Sequence, residues 1–277
     1  MGQKLRFVKM SGAGNDFVVL DNRAQQVPEP LAAFAAKVAD RKRGVGADGV
    51  LLVEPSSRKA FRMRYFNADG SEADMCGNGG RCIARYATLI GAAPQAMEFE
   101  NLAGDFSATV LADGSVSLRM TDPHSLVLDR KVELDGKLLK AHSLNTGVPH
   151  LVVPVADVDQ AAVFEDGRKL RYHADFQPKG TNVNFVQVVD RHTVKVRTYE
   201  RGVEDETLAC GTGSVACAVA MAAAGEVESP VSVITRGGDA LEISFDLIDH
   251  EATGVFLKGG AEVSFEGELD LAQLMRR

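Results

Sequence analysis

Cys76-Gly77-Asn78-Gly79 recurs further along the chain as Cys210-Gly211-Thr212-Gly213, and an apolar stretch follows each copy, residues 82–90 and 215–224. A cysteine just before a helix sets its sulfur near unpaired backbone N–H groups and the positive end of the helix dipole, which lowers a thiol pKa from about 8.5 toward neutrality. Glycine at the next position and two further on lets a ligand approach the backbone without obstruction by a Cβ. A carboxylate can therefore sit on two helix N-termini at once, held by main-chain donors, with its neighbouring carbon between two sulfurs. Inverting a carbon α to a carboxylate requires a proton to leave from one face and return to the other, so two acid/base groups must flank the atom. One must be thiolate and the other thiol, and such a pair titrates as a coupled unit. Negative charge developing on the carboxylate would be stabilised by the same fixed amides.

The elements that position these residues are also duplicated. Tyr65 and Tyr199 each end a strand-like run at the same offset before their cysteine, and Gly91 and Gly225 fall at the same offset after it, where a helix C-terminal glycine belongs. Two copies of strand, polar loop, Cys-Gly-x-Gly and buried helix imply two related halves, with Cys76 and Cys210 expected to meet across one cleft. Both helices are apolar on most sides, which suits enclosure by a curled sheet. Leu31, Phe34 and Val38 share one face of an amphipathic helix. Alternation over residues 61–66, 115–120 and 192–199 predicts strands, with Asp113-Gly114 and Asp135-Gly136 as hairpin turns. Strands outnumber helices, and Asp122-Pro123 is the candidate boundary.

The chain has 277 residues, 45% apolar and 25% charged, with a net charge of −7. That excludes the electrostatic footprint of a nucleic-acid binder, and Arg41-Lys42-Arg43 is read as a solvated helix end. No apolar run reaches the roughly 18 residues of a membrane span. Met1–Arg6 has no signal-peptide core, and Arg6 stands where myristoylation needs Ser or Thr, so the cytoplasm is the expected compartment. Four cysteines there are either buried small hydrophobes or chemistry; Cys82 and Cys217, inside the apolar stretches, are read as packing residues. No Cys-x-x-Cys or His-Glu-x-x-His occurs, so no metal is expected. Gly44-Val45-Gly46-Ala47-Asp48-Gly49 matches a dinucleotide fingerprint literally, but it follows a helix and precedes a strand, so it is expected to be a loop.

Six segments together resemble the diaminopimelate epimerase family. They are Lys9-Met10-Ser11-Gly12-Ala13-Gly14-Asn15-Asp16-Phe17, Asn67-Ala68-Asp69-Gly70-Ser71-Glu72, Met75-Cys76-Gly77-Asn78-Gly79-Gly80-Arg81-Cys82, Asn182-Val183-Asn184-Phe185, Glu200-Arg201-Gly202 and Ala209-Cys210-Gly211-Thr212-Gly213. The resemblance runs from about residue 5 to the C-terminus. Proline racemase and hydroxyproline epimerase share paired cysteines but typically carry His where this chain has Asn78.

The resemblance implies an α+β fold of two pseudo-symmetric halves, each a curled mixed sheet around a central helix. Residues 1–120 would form one half, with 264–277 returning to it, and 121–263 the other. It implies a cofactor-independent interconversion of LL- and meso-diaminopimelate for lysine and peptidoglycan precursor synthesis, in an enzyme taken to be a homodimer. Cys76 and Cys210 would be the acid/base pair, assisted by His150 and Glu200. Asn15 would touch the reacting amine; Asn67, Asn182 and Arg201 would hold the distal end; the amides of Gly77, Asn78, Gly211 and Thr212 would cradle the reacting carboxylate. Arg201 suits a carboxylate through two parallel hydrogen bonds, with an ion pair to Glu200 or Glu204 as its alternative. For Asn15, Asn67 and Asn182 the alternative is turn or capping duty. Two positions depart from the family pattern. Val148 stands where some members place an asparagine that helps bind the distal carboxylate, and Gly49 where some members have a glutamine near the reacting amine. The other readings of two facing cysteines are another cofactor-independent amino acid racemase of the proline racemase type, a thiol-disulfide redox protein and an amino acid binding protein without catalysis.

Overall fold

The computed structural model describes residues 3–73 and 76–276; Met75, in the first cysteine motif, lies outside them. The chain divides into two compact units, Met1–Leu118 with Gly259–Arg277, and Arg119–Lys258.

In the first unit β1 (Lys4–Gly12) and β2 (Asn15–Asp21) pair antiparallel across an Ala13-Gly14 turn whose φ angles are both positive. Helix α1 (Leu31–Ala39) then crosses over to β3 (Gly49–Glu54), parallel to β2, and β4 (Arg62–Asn67) returns antiparallel to β3. Short β5 (Glu72–Ala73) precedes α2 (Gly77–Leu89). A meander of β6 (Ala96–Asn101), β7 (Gly104–Val110) and β8 (Val116–Arg119) follows, with β6 parallel to β4. Strand Glu262–Asp270 pairs antiparallel with β1. The runs Phe17–Leu20 and Val50–Val53 are apolar without alternation because both faces of these strands are covered. Leu31, Phe34 and Val38 of α1 pack with Val18, Leu20, Val50 and Leu52. Helix α2 packs against β1, β2, β3 and β7, with Leu51 and Phe17 approaching Gly79.

The second unit repeats this order. A hairpin through Asp135-Gly136, both at positive φ, joins β9 (His124–Leu134) to β10 (Lys137–Asn145). Strand β11 (Pro149–Pro154), helix α3 (Val163–Arg171) and β12 (Asn182–Asp190) make a second parallel crossover, and β13 (Thr193–Glu200) returns antiparallel. Strand β14 (Asp205–Thr207) precedes α4 (Gly211–Ala223), followed by β15 (Val231–Ile234) parallel to β13, β16 (Ala240–Ile248) and β17 (Glu251–Gly259). Helix α4 is buried nearly all round and packs against strands β9 to β13, β15 and β16. Strand β9 beside β10 has its counterpart in Glu262–Asp270 beside β1. The fold is thus α+β with two repeated halves, and the duplication reaches far beyond the cysteine motifs.

Gly91 and Gly225 follow the two helix ends at φ +64 and +80, as C-terminal glycines. Residues 44–48 lie in the loop that connects α1 to β3, and Gly49, the last residue of the literal fingerprint, already begins the strand. Arg41 departs from expectation: although exposed, it is engaged by Asp16 and Asp48. No helix among the described residues is long and apolar enough to cross a membrane.

Candidate active site

Cys76 and Cys210 occupy the same station in the two halves. Each is the N-cap of its helix in extended conformation, at φ −133 and ψ 122 for Cys76 and φ −126 and ψ 111 for Cys210. Neither helix start is closed by a side-chain cap, so first-turn N–H groups keep their capacity to bind an anion. Both helices start earlier than the apolar stretches suggest, immediately after the cysteine. Packing overrides the poor helix propensity of the glycines in their first turns. Each cysteine carbonyl accepts from the residue four further on, Gly80 N at 2.7 Å and Ser214 N at 2.8 Å. Cys76 is half-buried and Cys210 buried.

In the first unit a chain of polar side chains runs behind Cys76. Arg81 Nη2 donates to Asn78 Oδ1 at 2.9 Å, Asn78 Nδ2 to Asn15 Oδ1 at 2.8 Å, and Asn15 Nδ2 to Asp48 Oδ2 at 3.0 Å. Asp48 also accepts from Arg41 at 2.7 Å, and Arg41 and Lys9 both hold Asp16 at 2.7 Å. Lys9, itself buried, also donates to Gly46 O. Burial opposes ionisation of Asp16, but Arg41 and Lys9 outweigh it and keep its carboxyl well below the usual carboxylate range. Asn67 ends β4 and spans the turn that follows, donating to Ser71 Oγ at 3.0 Å. A Cβ on Gly49 would lie 2.5 Å from the Tyr65 ring and 2.8 Å from Phe66 O, so the space a longer side chain would take there belongs to Tyr65.

In the second unit His150 and Asn182 are register partners on the parallel strands β11 and β12. Asn182 Nδ2 donates to Pro149 O at 3.1 Å, and its Oδ1 accepts from Arg201 N at 2.8 Å. The Arg201 guanidinium donates to Lys179 O at 3.2 Å, while Glu204 pairs with Arg171 at 2.9 Å. Burial pushes the Glu200 carboxyl up from its ordinary value and pulls His150 down to about 3. Thr212 Oγ1 stands 3.5 Å from Cys210 Sγ, and Thr146 Oγ1 donates to Thr212 O at 3.1 Å. Asn184, Thr198, Asp48 and Arg81 were not singled out from the sequence as site residues. Asn184 was accessible in principle, because alternation places it on the same strand face as Asn182.

Burial raises Cys82 to about 12 and Cys217 well above its ordinary value, so neither is a nucleophile near neutrality. Both are fully buried, as the packing reading expects.

The α+β fold of two repeated halves is that of a known structural class. A phenazine biosynthesis protein of Bacillus anthracis aligns with TM-score 0.73 at 18% identity, covering 96% of this chain and 99% of its own. A hydroxyproline epimerase of Agrobacterium vitis aligns at 0.70 with 17% identity, covering 98% and 94%. Within that class, the family description Diaminopimelate epimerase matches residues 7–127 and 142–263. A diaminopimelate epimerase of Aquifex aeolicus is 45% identical over 276 residues, 96% of this chain and 98% of its own. The chain belongs to the diaminopimelate epimerase family.

Proposed function

We propose that the protein interconverts LL- and meso-diaminopimelate without a cofactor, with Cys76 and Cys210 as its two acid/base groups. The observation that carries this reading is their equivalence. In each half the cysteine is the extended N-cap of a buried helix whose first turn has no side-chain cap.

One sulfur, as thiolate, takes the α proton. The electron pair left on the α carbon spreads into the carboxylate, where the first-turn amides of Gly77, Asn78, Gly211 and Thr212 stabilise it. The other sulfur, as thiol, returns a proton from the opposite face, and the reverse reaction exchanges the roles. His150 and Glu200 support the thiols, Asn15 receives the reacting amine, and Asn67, Asn182 and Arg201 take the distal end. Asn182 already spends both ends of its amide on Pro149 O and Arg201 N, so its part is to aim the Arg201 backbone as much as to touch the substrate. The same reading takes the enzyme to be cytoplasmic and homodimeric, checked by fractionation and light scattering.

Turnover in deuterium oxide should place deuterium at the α carbon, read by mass spectrometry. Cys76→Ala and Cys210→Ala should each lower epimerisation by about 10³-fold or more. Activity retained in either variant, or inversion without isotope uptake, would refute the mechanism. Turnover of proline in place of diaminopimelate would redirect the substrate assignment.

A further inference from the structure

His150 is 1% exposed, and its ring is held by one side chain on the neighbouring strand. Asn184 Nδ2 lies 3.1 Å from His150 Nδ1 and 3.0 Å from Leu151 O. A backbone carbonyl only accepts, so the nitrogen end of the Asn184 amide must face Leu151. The oxygen end meets the Thr198 hydroxyl, which donates to it at 3.0 Å. With the amide fixed in this sense, one Nδ2 hydrogen goes to Leu151 O and the other points at His150 Nδ1. That ring nitrogen must therefore accept, and the proton of the neutral imidazole resides on Nε2.

His150 Nε2 is buried and has no hydrogen-bond partner among the described residues. A buried N–H without an acceptor is rare and costly, and it marks a place where a partner arrives. The motif glycine of the second half adds an independent observation. A Cβ on Gly213 would stand 2.4 Å from Asn184 Oδ1 and 3.3 Å from Cys210 Sγ. Glycine at the fourth position of Cys210-Gly211-Thr212-Gly213 is thus what admits Asn184 beside the cysteine.

We infer that Asn184 is a positioning residue that fixes His150 as the Nε2–H tautomer, so that His150 works as a neutral hydrogen-bond donor to an anionic acceptor rather than as a base or a cation. This rests on the proposed epimerase reading for the identity of the acceptor but not for the tautomer. Burial supports it, since it holds His150 uncharged far below neutral pH. A neutral donor also suits a reaction in which one sulfur must be a thiolate, because it stabilises an anion without supplying a proton that would quench it.

The test uses the full chain labelled with 15N-histidine, with the His150 signals assigned by their loss in His150→Gln. At pH 7 the long-range 1H–15N spectrum should show a protonated Nε2 and a bare Nδ1. A proton on Nδ1, or on both nitrogens, would overturn the inference. Adding meso-diaminopimelate should move the Nε2 proton downfield; a resonance already downfield without substrate, and unmoved by it, would place the acceptor on the protein and overturn the reading of Nε2–H as a donor awaiting its partner. A proton at an ordinary, hydrogen-bond-free position in both states would overturn that role. Asn184→Asp replaces the donor facing Nδ1 by an acceptor, so it should draw a proton onto Nδ1 and lower kcat by about 10²-fold with little change in KM. An unaltered ring pattern in a folded Asn184→Asp protein would overturn the assignment of Asn184, and if that variant does not fold, the wild-type spectrum still decides. Because the ring pattern is read without turnover, failure of the tautomer and failure of the epimerase reading are distinguishable.

Discussion

Asn78 Nδ2 donates to Asn15 Oδ1 at 2.8 Å, so an amide in the first turn of α2 and an amide at the start of β2 hold one another. Asparagine rotates easily between its two senses, and a pair alone would not fix them. Here the ends of the chain are unambiguous. Arg81 only donates and Asp48 only accepts, so hydrogens run in one direction from Arg81 through Asn78 and Asn15 to Asp48.

Asp48→Asn therefore replaces a group that can only accept by one that can accept or donate, and the direction is no longer set. Asn15 loses its fixed sense, and kcat/KM for diaminopimelate should fall by about tenfold to 10²-fold, a loss of about 1–3 kcal/mol of hydrogen bonding to a charged group. Steady-state kinetics beside a thermal melt checks this, since a uniform loss of fold with unchanged specific activity would contradict it.

Arg81→Met should act on stability instead. Fully buried, Arg81 donates to Gly260 O at 3.3 Å, Gly77 O at 3.4 Å and Asn78 Oδ1 at 2.9 Å, and methionine leaves those acceptors without it. The expected loss is about 3 kcal/mol in urea unfolding; a change under about 0.5 kcal/mol would show that water replaces the guanidinium.

The two motif glycines predict an asymmetry between the halves. A Cβ on Gly79 meets Leu51 at 3.4 Å and Cys76 Cβ at 3.6 Å, ordinary contacts, whereas on Gly213 it would stand 2.4 Å from Asn184 Oδ1. Gly79→Ala should leave stability unchanged or raise it by up to about 1 kcal/mol through helix propensity. Gly213→Ala should cost about 1–3 kcal/mol through overpacking. Equal effects in the two variants would contradict the geometry.

This asymmetry also marks where the sequence stopped being informative. The repeated Cys-Gly-x-Gly, the paired tyrosines and the terminal glycines carry local signals of period and punctuation, and they located both helices and the two-half architecture. The parallel crossovers through α1 and α3 are equally duplicated but are held by apolar burial that many sequences satisfy, so they left no echo to read. Asp48 and Asn184, and Arg81 through Gly260 O, make long-range hydrogen bonds, which spacing along the chain does not encode. Arg41 appeared to be part of a solvated basic run because its partners Asp16 and Asp48 come from two other segments. Gly49 looked like a missing glutamine, yet Tyr65 occupies the space.

The four thiols should separate by accessibility. With burial holding Cys82 at about 12 and Cys217 higher still, iodoacetamide at pH 8 should leave both unmodified in the folded protein. Half-buried Cys76 should react before buried Cys210. Peptide mapping after timed quenching reads the order, and labelling of Cys82 or Cys217 ahead of Cys76 would contradict it.

Glu200 links the site to stability through pH. Burial raises its pKa above the value in the unfolded chain, about 4.3. The unfolded state therefore ionises first as pH rises, and stability is lost between the unfolded value and the raised folded value. Glu200→Gln, which cannot ionise, escapes that loss. Its melting temperature relative to wild type should be higher at pH 7 than at pH 4, by about 2–4 °C for each 1 kcal/mol removed. At the same time its turnover should fall, because the proposed reaction uses the carboxylate. A melting-temperature difference that is the same at both pH values would contradict this, because it would mean that the folded protein does not disfavour the Glu200 charge.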